Sequence, residues 1–156
     1  MIRTLTIALS LAMAAPVVAQ DVLRTDLSPA ESAVPAPETV HGWVARYFDS
    51  TRSGTVEPWL ANFAENAVVD DPVGTPVKAD PTAIRAMGEG FLGAFETVGL
   101  HESFVHVSGL EAVARWEGRG TTPDGTEVTF QGINLFTFDS DGRITELRGF
   151  FAPPGS

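Results

Sequence analysis

The sequence predicts an α+β domain in which about three N-terminal helices pack on one face of a curved antiparallel sheet. Apolar residues recur at helical spacing up to about residue 99, β-type segments divided by Ser-Gly and Asp-Gly turns fill most of 101–152, and no internal repeat or coiled coil competes. With 156 residues, 44% of them hydrophobic, there is material for one core and too little for two ordinary domains.

From Glu38 to Ser50, Val40, Trp43, Val44, Tyr47 and Phe48 fall on one helical face, which predicts helix one. Val56–Ala64 follows Ser53-Gly54 and carries Trp59, Leu60 and Phe63 on one face; Pro58 is early enough for a first turn, so a second, short helix is expected. Ala67–Asp71 then alternates as a short strand and runs into Pro72. Asp80-Pro81-Thr82 supplies an N-cap acid and a proline at the first helical position. Behind it Ile84, Met87, Phe91, Leu92 and Phe95 continue a stripe toward Gly99, predicting the longest of the three helices. Strands are expected at about 101–107, 110–120, 126–138 and 143–152, joined at Ser108-Gly109, Asp124-Gly125 and Asp141-Gly142.

The ends of the chain differ from its middle. Residues 1–19 carry Arg3, an apolar run from Leu5 to Val18 and small residues up to Ala19, the pattern of a secretory signal peptide cleaved near Ala19. Ser10 and Pro16 interrupt the run, which is shorter than the ~20 apolar residues of a spanning helix. The expectation is therefore an exported, periplasmic protein with no membrane attachment after cleavage. Residues 20–37, rich in Pro, Ala and Ser, cannot bury enough apolar surface to offset their ordering entropy and read as a tether. The folded domain is placed at 38–152, with a short tail at 153–156.

Ten basic against twenty acidic residues give a formal net charge of −10, and loss of Arg3 with the leader would make it −11. Such a chain has no electrostatic footprint for the phosphates of nucleic acid. The absence of cysteine removes disulfides, thiolate metal sites and cysteine nucleophiles. His41, His101 and His106 are not spaced as a ligand set, so no metal is expected. Chemistry falls to carboxylates, amides, hydroxyls or imidazoles.

Three positions stand out. Asn134 shares the even-numbered face of its strand with Val128, Phe130, Gly132, Phe136 and Phe138, an amide among aromatics that needs a hydrogen-bond partner when buried. That partner is a pocket ligand or a neighbouring strand; because Ile133 and Leu135 are apolar too, parity alone favours the second. Asp70-Asp71-Pro72 is an acidic pair at a strand end. If Val69 and Asp71 turn inward together, Asp71 becomes a carboxylate at the rim of an apolar cavity, where a raised pKa makes a usable base; spacing does not say which acid faces in. Tyr47, the only tyrosine, lies on the apolar face of helix one beside Trp43 and Val44. Taken alone it reads as a core residue.

The segments His41–Tyr47, Ala67–Gly74 and Phe138–Ile144 together resemble the ketosteroid isomerases, within the wider NTF2-like or SnoaL-like group, over about residues 38–152. The resemblance implies a cone-shaped fold around a pocket and allylic proton transfer on an apolar ketone through a dienolate, chemistry that requires no organic cofactor. It aligns Tyr47 with the oxyanion-hole tyrosine, Asp71 with the proton-shuttling aspartate, and Asn134 with a second donor that is normally a protonated aspartate. An asparagine there donates an N–H at any pH. Phe151 falls where the family keeps an aromatic residue beside the base, and Phe63, Met87, Phe91 and Phe136 are the further expected substrate contacts.

Phe63 and Gly88 stand where some members carry tyrosines that support the catalytic one, so Tyr47 is expected to be the weaker donor here. A dehydratase-like imidazole–aspartate pair would need His101 or His106 to point inward. Trp43, Trp59 and Trp116 read as core or interface. Two functional classes follow: an exported isomerase, or a non-catalytic module that binds an apolar small molecule or dimerises. Ile133, Leu135 and Val113 on the open sheet face suit a homodimer in either case.

Overall fold

The computed structural model describes residues 34–152. The expected leader, nearly all of the tether and the 153–156 tail lie outside the described residues. Three helices, α1 (Pro37–Ser50), α2 (Val56–Leu60) and α3 (Pro81–Gly93), accompany five strands: β1 (Phe63–Asp70), β2 (Thr97–Ser108), β3 (Glu111–Thr121), β4 (Glu127–Phe138) and β5 (Ile144–Phe151). The sheet order is β1-β5-β4-β3-β2, with β2 to β5 an antiparallel meander and β1 parallel to β5 at the edge.

Helix α1 buries Val40, Val44, Tyr47 and Phe48, the apolar stripe of its sequence, against the sheet. Its C-terminal part is pinned at two points. Arg46 donates from Nε to Asn62 Oδ1 at 3.0 Å and from Nη2 to the Gly142 carbonyl at 2.5 Å, while Thr51 Oγ1 accepts the Leu100 backbone N–H at 2.9 Å. Tyr47 sits between these two clamps.

Two element boundaries differ from expectation. The second helix stops at Leu60, and Phe63, expected on that helix, opens β1 instead. Asn62 explains the break: its buried amide donates to the Pro58 and Trp59 carbonyls at 3.1 and 3.0 Å, satisfying helix-end acceptors, and its own carbonyl accepts the Ile144 N–H, which starts the β1–β5 pairing. The third helix is capped as expected, Asp80 accepting from the Ala83 N–H at 2.9 Å, but ends at Gly93. At 13 residues it is shorter than the 14-residue α1. Glu96 donates its N–H to the Thr121 carbonyl at 2.7 Å and Thr97 pairs with Thr121, so sheet formation claims residues that helical spacing alone would continue.

The turns fall where their signals lie, with Gly125 and Gly142 at φ of 85° and 77°. Along β4 the even positions 130, 134, 136 and 138 are buried and the odd positions 131, 133 and 135 are exposed, so Asn134 faces the helices.

Candidate active site

The space between α1, α2, α3 and the inner sheet face is a cavity of about 170 Å³. Its floor is buried and holds the polar groups, Tyr47, Asn134 and Trp116, with Trp59 and Leu100 beside them. Half-buried Pro72, Met87, Phe91, Leu92 and Phe151 form the more accessible wall. Gly88 lets α3 approach, since a side chain there would meet Trp59 and Val56 at 2.8 Å.

Tyr47 is fixed by an aromatic box. Phe48, Phe136 and Phe63 pack edge-on against its ring at centroid distances of 5.2, 5.0 and 6.4 Å. Burial pushes the phenol above its ordinary pKa and the Asp71 charge adds to this; the Trp59 side chain and the Asn134 amide partly oppose it. Tyr47 therefore stays protonated and able to donate across the whole neutral range.

Asn134, 1% exposed, accepts the Trp116 indole N–H on Oδ1 at 2.9 Å. Indole is a donor only, so this bond fixes which end of the amide faces which way. Nδ2 is then turned toward the Tyr47 hydroxyl, 3.5 Å away, at the long limit of a hydrogen bond. Two donors at that separation can close on one shared acceptor oxygen.

Asp71 comes from the segment after β1. Strand alternation buries Val69 completely and turns Asp70 outward, where its carboxylate lies 3.5 Å from Arg148 Nε; Asp71 faces the cavity. Its Oδ1 is buried without a hydrogen-bond partner among the described residues, and it rests over Gly149, where a Cβ would collide with the carboxyl group. Lys78 contributes its ammonium to the Asp71 backbone carbonyl at 2.7 Å rather than to the carboxylate. Burial pushes the Asp71 pKa up to about 6, with Lys78 opposing and Asp70 adding to the rise.

Of the expected site residues, Tyr47, Asp71, Asn134, Met87, Phe91 and Phe151 line one cavity. Phe63 and Phe136 do not: both stand behind Tyr47, because β1 and β4 present them to the phenol ring rather than to the open space. His101 and His106 are exposed and supply no imidazole to the cavity. Trp59 and Trp116 are buried in the core, as read from sequence, and they also line the floor of the cavity. An indole N–H aimed at a strand two positions along has no local sequence signature. The one pointer was Gly132, whose missing side chain opens the path for the Trp116 ring.

Residues 44–147 match the model of the SnoaL-like domain. The chain is 35% identical over 111 residues to a steroid Δ-isomerase of Nocardioides simplex, covering 70% of this chain and 87% of that protein. Among solved structures it is similar to SalBIII, an epoxide hydrolase/cyclase-like enzyme described for its role in pyran ring formation in the polyether salinomycin. That match has a TM-score of 0.67 and 25% identity and covers 74% of this chain and 92% of that one. An NTF2-like protein from Exiguobacterium sp. 255-15 shares the fold at TM-score 0.60 and 18% identity, over 71% of this chain and 98% of that one. A steroid Δ-isomerase homologue built of three helices and five strands, the chain belongs to the SnoaL-like domain family.

Proposed function

We propose that the protein is a cofactor-independent isomerase that moves a proton along a β,γ-unsaturated ketone through a dienolate. The observation that carries this reading is a buried carboxylate oxygen with no hydrogen-bond partner among the described residues, in the same apolar cavity as the Tyr47 hydroxyl and the Asn134 amide nitrogen, which lie 3.5 Å apart. Asp71 takes the proton from the carbon between the carbonyl and the alkene, and the electron pair moves onto the carbonyl oxygen. Tyr47 and Asn134 donate to that oxygen as charge develops. Asp71 then returns the proton two carbons further along, leaving the conjugated enone and a regenerated carboxylate. A positioned base contributes about 10²–10⁴ in rate and one oxyanion donor about 10²–10³.

The cavity bears on the substrate. A space of about 170 Å³ is close to the ~150 Å³ that accepts benzene in an engineered apolar cavity. It holds one ring and its carbonyl, with further rings lying along the Met87, Phe91 and Phe151 wall. The substrate is thus an apolar cyclic enone precursor gripped by one end. Two further parts of the proposal rest on other features: export to the periplasm on the pattern of residues 1–19, and homodimer formation on the exposed Phe104, Ile133, Leu135 and Phe150 of the outer sheet face.

The test follows the conversion of a β,γ-unsaturated 3-ketosteroid to its conjugated enone by ultraviolet absorbance, for the wild type and Asp71→Asn. Turnover by the wild type, with loss of at least ~10²-fold in kcat but little change in ligand affinity in the variant, is expected. A wild-type rate equal to buffer overturns the isomerase reading. Ligand binding without turnover in either protein assigns the cavity to a binding module.

A further inference from the structure

Asn134 stands at the position that in ketosteroid isomerases normally carries a protonated aspartate, and its surroundings bear on which of the two this site can use. On β3, Trp116 pairs with Gly132 of β4, two residues before Asn134 on the same face. A Cβ at Gly132 would lie 2.5 Å from the indole Cζ2, so the absence of a side chain there is what lets the ring reach across to Asn134 Oδ1. Phe130 and Phe151 pack edge-on against the ring at 5.8 and 5.5 Å and hold its direction. The indole N–H can donate and cannot accept.

We propose that Trp116 is a positioning residue that suits position 134 to an amide: its N–H holds Oδ1 and turns Nδ2 to the substrate oxygen, and the same N–H would favour the ionised form of an aspartate at 134, which donates nothing. The inference rests on the isomerase reading for its kinetic consequences and on geometry for the rest. A carboxylic acid serves as an oxyanion donor only while protonated, and a fixed donor aimed at one of its oxygens favours the carboxylate. The titratable groups that face position 134 are Tyr47 from α1 and Asp71 from the segment after β1; α3, β3 and β5 present Met87, Phe91, Trp116 and Phe151 there. Burial and the Asp71 carboxylate oppose ionisation at 134 and the indole N–H favours it, so removing the indole shifts that balance toward the neutral, donating acid.

The experiment compares Trp116→Phe, Asn134→Asp and the double variant in pH profiles of kcat and kcat/KM. Trp116→Phe is expected to lower kcat about tenfold with little change in KM, since the amide loses the bond that orients it. Asn134→Asp should gain a falling alkaline limb absent from the wild type. In the double variant that limb should move up by roughly one pH unit or more and activity should exceed that of Asn134→Asp alone, because the bond favouring the carboxylate is gone. A limb at the same pH with and without the indole overturns the proposal. A second readout needs no turnover and no change at Trp116. In ¹⁵N-labelled Asn134→Asp the Trp116 indole N–H resonance should titrate as residue 134 ionises, and an indole signal indifferent to pH overturns the proposal. Failure of the wild type to turn over ketosteroid, with a titrating indole, would count against the isomerase reading and leave the coupling of these two residues standing.

Discussion

The Tyr47 hydroxyl and the Asn134 amide nitrogen, 87 residues apart in the chain, come within 3.5 Å of each other on the floor of an apolar cavity. Neither group can supply the other's needs fully at that distance, and both are donors whose protonation does not change near neutral pH. The pairing suits an oxygen that gains negative charge during a reaction.

The pH profile follows from this. Asp71 must be ionised to act as a base, so kcat/KM should rise with pH through an inflection near 6 and reach a plateau. Tyr47 is raised above its ordinary value and Asn134 does not titrate, so the plateau should extend to about pH 10 without a falling limb. Initial rates across a constant-ionic-strength buffer series check both limbs; a bell centred near neutrality would assign the acid form of some other group to the mechanism.

Asp71 should also cost stability at neutral pH. Its folded-state pKa, about 6 against an ordinary 3.8, means that the native chain binds the proton more tightly than the unfolded chain. Stability contributed by the protonated form is complete below about pH 4 and lost as pH rises through about 6. Asp71→Asn should therefore be more stable than the wild type at pH 7 by roughly 2 kcal/mol, allowing for partial exposure of the group, and the gain should shrink toward pH 4. Urea unfolding at the two pH values measures the difference, and an equal effect at both would show that ionisation is not its source.

Removing the phenol tests the other end of the site. Tyr47→Phe keeps the ring inside its box of Phe48, Phe63 and Phe136, so the fold should hold. It removes one donor, and kcat should fall by about 10²–10³ with a smaller change in KM. A loss confined to KM would mean that the hydroxyl binds substrate without serving the transition state.

Cavity size makes a prediction about substrates. A cavity of about 170 Å³ is of the size of one ring, so a monocyclic β,γ-unsaturated ketone is expected to fit it and the added rings of a steroid to extend past its more accessible wall. The kcat of the monocyclic ketone should lie within about tenfold of the steroid's while KM rises, because remote contacts made equally in ground and transition states affect KM alone. A kcat lower by more than ~10³ would show that outer-wall contacts are used to orient the reacting ring.

The outer sheet face supplies the last prediction. Ile133 and Leu135 are 42% and 40% exposed, beside Phe150 at 41%. Sedimentation velocity should find a dimer for the wild-type domain and a monomer for the double variant Ile133→Lys, Leu135→Lys, since buried lysines without partners oppose association. An unchanged sedimentation coefficient would move any dimer contact elsewhere.

Local order in the sequence determined most of the frame. Helix faces, strand alternation and Asp-Gly turns repeat with periods that neighbouring residues fix among themselves, so Tyr47 on an apolar helix face and Asn134 on the even face of β4 were legible from spacing. The resemblance added the grouping of Tyr47, Asp71 and Asn134. Pairing between distant segments decided the rest. Asp70 or Asp71 was an open choice until Asp70 met Arg148 across the β1–β5 pair, which left Asp71 to the cavity. Phe63 changed from helix to strand because Asn62 closes α2 and hands the chain to β5. Trp116 became part of the site only through its β3–β4 register opposite Gly132, since where an indole N–H ends depends on which strand lies beside it and on the side chain that is missing there. Period is a property of neighbours in sequence; register is a property of neighbours in space, and the chemistry of this cavity was decided by register.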